Sequence, residues 1–227
     1  MSDTNLSAAT GKARICRAAL EAFAQYGYDG AGVTLIAEQA GVSQPSIHYH
    51  FKSKRMLWEA AMRELGALIA ADQQARAPLA EALPPLDQLR AACALLIDTA
   101  ATRPVLGQVI LSEGQTGGER LDWLLRNVLS ETYYDFLEII ETCVRDGLIK
   151  PYPPTQILML LTGAAVTQFN VAPLVRSVFG EDPKSPDNVE RTLTALRTPQ
   201  ETLHVLTPAE QSQVKAAMRF ASAEWLD

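Results

Sequence analysis

Eight consecutive residues, SQPSIHYH from Ser43 to His50, hold the densest set of side chains that could meet a ligand. Gln44, Ser46 and His48, with Tyr49 and His50, offer a carboxamide, a hydroxyl, two imidazoles and a phenol. Lys52, Lys54 and Arg55 follow at once. Such groups suit the edges of bases and a phosphate backbone better than they suit catalysis. His48 and His50 are two apart, about 200° round a helix, so they do not chelate a metal as a pair. No G-x-S-x-G, phosphate-binding glycine loop or H-E-x-x-H stands in the chain, and no Cys/His pair has catalytic spacing. An enzyme is therefore not expected, and neither a cofactor nor a metal. His204 lies near a helix boundary and reads as surface.

Charge is distributed to match. The chain carries a formal net charge of −6. Residues 1–64 nevertheless hold seven basic and six acidic residues, and the remainder holds 13 basic and 20 acidic. A basic head on an acidic body permits local phosphate contact.

Helices must position that stub. Ile15, Ala18, Ala19, Ala22, Phe23 and Tyr26 form one apolar stripe that stops at Gly27. Val33, Ile36, Ala37 and Ala40 share a face of a second helix with Gly32 as its N-cap, and Gly41 turns the chain without a Cβ penalty. Ser43 then caps a third helix with Pro45 just inside it, a strong start signal. Val42 and Ile47 plug the angle between the two short helices. Ser53 caps a long helix from residue 54 toward 76, with Met56, Leu57, Ala60, Ala61, Leu65, Leu68 and Ile69 as its stripe. Three short helices with a glycine turn before the third form a helix-turn-helix unit.

The rest of the chain also reads as helix. Helices are expected at about 85–103, 104–113, 119–146, 155–179, 187–198 and 208–226, with a loop at 114–118. No strand pattern, repeat or low-complexity tract appears, and the class is all-α. The expected division is 1–52 as the DNA-binding domain, with 1–9 a disordered arm, and 53–227 as a helical domain for effector binding and dimerisation. The apolar run 157–174 is broken by polar residues and is short for a membrane span of about 20 residues. The polar N-terminus shows no signal peptide, and three separated cysteines suit a reducing, cytoplasmic setting.

The segment AEQAGVSQPSIHYHFKSKRML resembles the helix-turn-helix signature of the tetracycline-repressor (TetR) family. With the R-I-x-x-A-A-L-x-x-F-A-x-x-G-Y helix before it, the resemblance covers about residues 12–65. It implies that the third helix enters the major groove, with Gln44, Pro45, Ser46 and His48 near base edges. Ser43, Tyr49, His50 and Lys54 would hold phosphates, with Lys52 as a further candidate. A Gln amide can pair with adenine N6/N7, and a proline surface can meet a thymine methyl. Tyr49 either bonds a phosphate or braces the helix against the body. Thr34 joins the set from the second helix, at a place where relatives often carry a basic residue. Leu35 stands where they often carry a polar one, and His48 where Tyr is common.

A stub of two turns reads few base pairs, so a two-fold dimer on a palindromic operator is expected. Helix 155–179, with small Gly163, Ala164 and Ala165, and a C-terminal helix are the expected dimer interface. The family's larger domain usually holds a small molecule, here expected to be apolar or aromatic. Candidates are the polar Ser112, Thr132, Gln168 and Asn170 and the aromatic Trp123, Tyr133, Phe136 and Phe169, with Leu96 and Val109. Each has core packing or a structural hydrogen bond as its ordinary alternative. The expected function is a repressor released by an effector. The alternative is a regulator of the same fold controlled by a protein partner or by no ligand, with an enzyme a distant third.

Overall fold

The structure, a computed structural model, describes residues 3–197. Its elements are α1 (Asp3–Gly30), α2 (Val33–Ala40), α3 (Gln44–His50), α4 (Lys54–Glu81), α5 (Pro85–Thr102), α6 (Pro104–Thr116), α7 (Glu119–Leu124), a π-helical turn (Leu125–Leu129), α8 (Ser130–Arg145), α9 (Pro154–Asn170), α10 (Ala172–Phe179) and α11 (Pro186–Arg197). No strand occurs among the described residues, and the all-α expectation holds. The expected helix at 208–226 and His204 lie outside the described residues.

The head is built on α1. Ile15, Ala18, Ala19, Ala22 and Phe23 are buried, and they pack with Ile36, Ala37 and Ala40 of α2, Ile47 of α3, and Phe51. Tyr26, at the end of the expected stripe, is exposed instead. Gly27 breaks α1 with φ 69°, a left-handed value that glycine adopts without Cβ strain, and one more turn follows to Gly30. The backbone of α1 is helical from Asp3.

The same core runs on past residue 52. Leu57, Trp58, Ala61 and Met62 of α4 join it, as do Val109 of α6, Leu124 of α7, and Leu129. The α4 stripe is thus rotated from the expected one. Met56 and Leu68 are exposed, whereas Trp58 and Met62 are buried. Helix α4 also outlasts its expected end and carries Pro78 within it.

The body has two smaller cores. Leu89 and Cys93 of α5 meet Phe136, Ile140 and Cys143 of α8 and Leu158 of α9. Ile97 and Ala100 of α5 meet Ala165 and Phe169 of α9, with Val189 and Leu193 of α11 alongside.

Three expected elements differ. Helix α6 runs on to Thr116, so the break is the pair Gly117–Gly118, both with positive φ. The helix expected at 119–146 is interrupted by the π turn, a local widening of the helical backbone. The helix expected at 155–179 bends by 74° between α9 and α10. Pro173 causes this, because it lacks an N–H and sits in the first turn of α10. No single helix among the described residues is long and apolar enough to cross a membrane.

Candidate functional sites: the third helix and the body cavity

Helix α3 is held by its inner side and bare on its outer one. Ile47 is buried beneath it, and Val42 packs against the same core. Gly41 ends α2 in the left-handed region at φ 62°. Its N–H bonds the Glu38 carbonyl, and the Val42 N–H bonds that of Ala37, which closes the end of α2. The Arg14 guanidinium of α1 donates to the Ala40 and Gly41 carbonyls and brings a cation to the same helix end. Sequence reasoning had counted Arg14 only as part of the basic head. A Cβ at residue 41 would stand 2.9 Å from its Nη2, so the clamp and the glycine fit each other.

The outer face gathers the predicted residues. Ser43, Gln44, Pro45, His48 and Tyr49 are exposed, and Ser46 and His50 are half-buried. The Ser43 and Ser46 hydroxyls share a hydrogen bond of 3.0 Å. Tyr49 is 84% exposed, so it does not brace the helix against the body. Its ring meets the edge of His50 at 5.2 Å. The Thr34 hydroxyl donates to Gln44 Oε1 at 3.3 Å, which places Thr34 as a support for the glutamine.

Lys52 is free on the surface side, whereas Lys54 is half-buried. Lys54 Nζ donates to the Asp29 carbonyl at 3.2 Å and lies 4.8 Å from the centre of the Tyr28 ring. Ser53 caps α4, its hydroxyl accepting from the Met56 N–H at 3.1 Å.

Tyr28 joins head to body. Its ring stacks on Phe23 and meets the edge of Trp58. Arg120 lies 4.3 Å from its centre. The Arg120 guanidinium in turn donates to both oxygens of Glu113, a carboxylate buried to 2% exposure. Burial pushes the Tyr28 phenol above its ordinary value, and Arg120 and Arg55 oppose that.

The body holds a cavity of about 500 Å³ between α5, α6 and α9. Its walls are Leu96, Thr99, Ala100 and Arg103 of α5; Leu106, Gly107, Ile110, Leu111, Gly114 and Gln115 of α6; Met159, Thr162, Gly163, Val166, Thr167 and Asn170 of α9; and Tyr133 of α8. Leu96, Tyr133 and Asn170 are therefore the sequence candidates that reach it. Burial raises the Tyr133 phenol above its ordinary pKa and keeps it neutral. The Asn170 Oδ1 atom is buried with no hydrogen-bond partner among the described residues.

The other candidates are placed elsewhere. Val109, Phe136 and Phe169 are buried in packed cores, and Trp123 packs on Trp58 with ring centres 5.3 Å apart. Thr132 bonds Gln73 at 3.0 Å, and Gln168 bonds Thr192 at 2.9 Å. Ser112 faces Gly27 across the head–body junction. The polarity of Thr132 and Gln168 is spent on structure, which sequence periodicity alone does not reveal. Gly107 was not singled out, yet a Cβ there would stand 2.6 Å from Asn170 Oδ1. Arg103 is the one charged group among the described wall residues, and it is paired with Asp72 of α4.

No group of three metal-binding side chains comes together among the described residues. The three cysteines are buried and unpaired. Burial pushes the Cys16 thiol up to about 12 and the Cys93 thiol up to about 11, far from a reactive thiolate.

Residues 15–61 match the family model for bacterial regulatory proteins of the tetR family, and residues 85–197 match the tetracyclin repressor-like C-terminal domain. The HTH-type transcriptional regulator RutR of Escherichia coli K12 is 27% identical over 169 residues, which is 74% of this chain and 78% of RutR. Among solved structures, AibR in complex with isovaleryl coenzyme A and operator DNA superposes with a TM-score of 0.65 at 19% identity, covering 85% of this chain and 98% of AibR. FadR of Bacillus subtilis in complex with stearoyl-CoA gives 0.59 at 18%, covering 84% and 98%. At these identities the two structures show a shared fold.

Proposed function

Because the chain belongs to the TetR family of DNA-binding transcriptional regulators, we propose that it is a dimeric repressor that leaves its operator when a small molecule fills the body cavity. The observation that carries this is the two-sided character of α3: Ile47 anchors it while Gln44, Pro45 and His48 stand exposed. In a two-fold dimer the paired α3 helices would read half-sites about 34–36 Å apart. Gln44, Pro45, Ser46 and His48 meet base edges in this reading. Ser43, Tyr49, His50, Lys52 and Lys54 meet phosphates, and Thr34 orients Gln44.

The dimer face is the apolar outer side of α9 and α10. Leu160 is 72% exposed, and Leu174, Val178 and Phe179 are also exposed, beside the small residues Gly163 and Ala164. An apolar surface of this kind is a candidate subunit interface. Ala165, expected in the same face, is buried within its own subunit.

The cavity favours an effector over a solid body answering only to a protein, since about 500 Å³ is ordinary for a ligand site. AibR and FadR, with the same fold, were solved with acyl-coenzyme A molecules. An effector acts only by binding the released state better than the DNA-bound one.

The test is fluorescence anisotropy with duplex from the protein's own upstream region, at several salt concentrations. Sequence-preferring binding that weakens linearly in log salt is expected. Equal affinity for scrambled duplex overturns the proposal. Sedimentation at micromolar concentration should show a dimer, and a monomer removes the dimeric part.

A further inference from the structure

Granted the ligand-responsive reading on which this rests, we infer that the cavity takes a neutral amphiphile: a slim apolar body ending in an amide or hydroxyl head, and not a carboxylate or other anion. Three observations carry it.

The walls are mostly hydrocarbon. Leu96, Ala100, Leu106, Ile110 and Val166 offer no polar atom beyond the backbone. The hydroxyl of Thr162 is already bonded to the Leu158 carbonyl of its own helix at 2.8 Å. Along α9 the lining positions run from Met159 to Asn170. At 1.5 Å per residue that wall is about 16 Å long, the reach of a medium chain rather than of a compact ring.

The charge balance is closed. Arg103 is the one ionised group among the described wall residues, and its partner Asp72 is a half-buried carboxylate on α4. An anionic head would lose its water and find a cation already neutralised. Such a transfer is costly unless the ion is paired.

One polar atom on the described wall is both buried and without a partner. The Oδ1 of the Asn170 carboxamide has no hydrogen-bond partner among the described residues and is shut away from solvent. It lies across the bare backbone of Gly107, where a Cβ would stand 2.6 Å from Oδ1 and 3.0 Å from Nδ2. Buried polar atoms are nearly always paired, and an orphaned oxygen on a residue that lines a cavity points to a missing donor. A carboxamide both donates and accepts, so its complement is an amide or a hydroxyl, each of which does the same. An ionised carboxylate only accepts, so it could meet the Nδ2 donor but would leave Oδ1 unpaired.

The experiment compares three nine-carbon probes with the full chain at pH 7.5 by calorimetric titration: nonanamide, 1-nonanol and nonanoate. The amide and the alcohol are expected to bind at least about tenfold more tightly than the acid anion, as one satisfied buried hydrogen bond predicts. Asn170→Leu should erase that gap by weakening the two neutral probes. The unliganded variant should melt no lower than the parent, because an unpaired polar group is replaced by hydrocarbon of similar size. Nonanoate binding as tightly as nonanamide overturns the neutral head, and so does failure of all three to bind. A lower melting temperature in Asn170→Leu would expose a structural hydrogen bond and overturn it as well. Operator affinity is read separately. If bound nonanamide leaves it unchanged, the ligand-responsive reading fails while the binding preference stands.

Discussion

The head and the body of this molecule are made of the same element, yet they are packed to different ends. In the head, α1 to α3 and the start of α4 close on one continuous core with Ile15, Ala19, Ala22, Ile36 and Trp58 fully buried. In the body, two small cores lie beside a cavity of about 500 Å³, and one apolar run bends at Pro173. A head that must present a seven-residue helix rigidly cannot tolerate slack. A body that must admit a guest has to retain some.

The sharpest way to break this comparison is to cut one side chain in each region. Ile36→Ala should cost about 2–5 kcal/mol in denaturant unfolding, because Ile36 is fully buried in a dense core. Leu96→Ala, at a half-buried position already bordering the void, should cost less than half as much. Equal losses would mean that the two regions are equally tight.

Alkaline pH offers a second test, since each region holds a buried thiol. Cys16 of the head is pushed up to about 12 and Cys93 of the body up to about 11, against an ordinary 9.0. Burial is the first cause in both. A raised pKa gives stability that is complete below pH 9 and lost as pH rises, because only the unfolded thiol ionises. Each should remove up to about 1.4 kcal/mol per pH unit above 9. Cys16→Ala should flatten the decline further up the pH scale than Cys93→Ala does.

Smaller effects concern the DNA face. Gln44→Ala should cost about 1–3 kcal/mol in operator affinity at one base pair and relax preference there. Thr34→Val should produce a fraction of the same loss, by releasing the glutamine from its 3.3 Å support. Lys52→Ala should weaken binding to every sequence alike and flatten the log-log salt slope by about 0.9. Unfolding midpoints for these three should barely move, which separates the reading face from the core beneath it.

The comparison also explains what could be read from the sequence. Gly41, Ser43 and Pro45 act through their own backbone preferences, so the turn and the start of α3 were legible one residue at a time. The inward Ile47 and outward Gln44 followed from helical period. Arg14 was not legible as a clamp, because nothing local marks a cation that reaches the end of another helix. The body resisted for the same reason on a larger scale. No residue type around Leu129 marks a π turn. The bend at Pro173 was within reach, since proline was visible inside an apolar run, but the run's length argued for continuity. The void belongs to no single helix. Asn170 and Tyr133 were noticed as polar or aromatic residues in apolar surroundings, and so were Thr132 and Gln168, which turned out to be spoken for by Gln73 and Thr192. Gly107 shows its meaning only once Asn170 is laid across it.

The ring of Tyr28, gripped by Lys54 on one side of the junction and Arg120 on the other, has a mechanical consequence. Glu113, which holds Arg120, rides on α6, the helix whose other residues wall the void. Any guest that tilts α6 must therefore drag the guanidinium along the aromatic plane or tear it away. Either way the disturbance arrives at the first turn of α4, next door to α3. In the effector-responsive reading this series of contacts would act as a clutch between one helix and the angle of another, and Tyr28→Leu would let it slip.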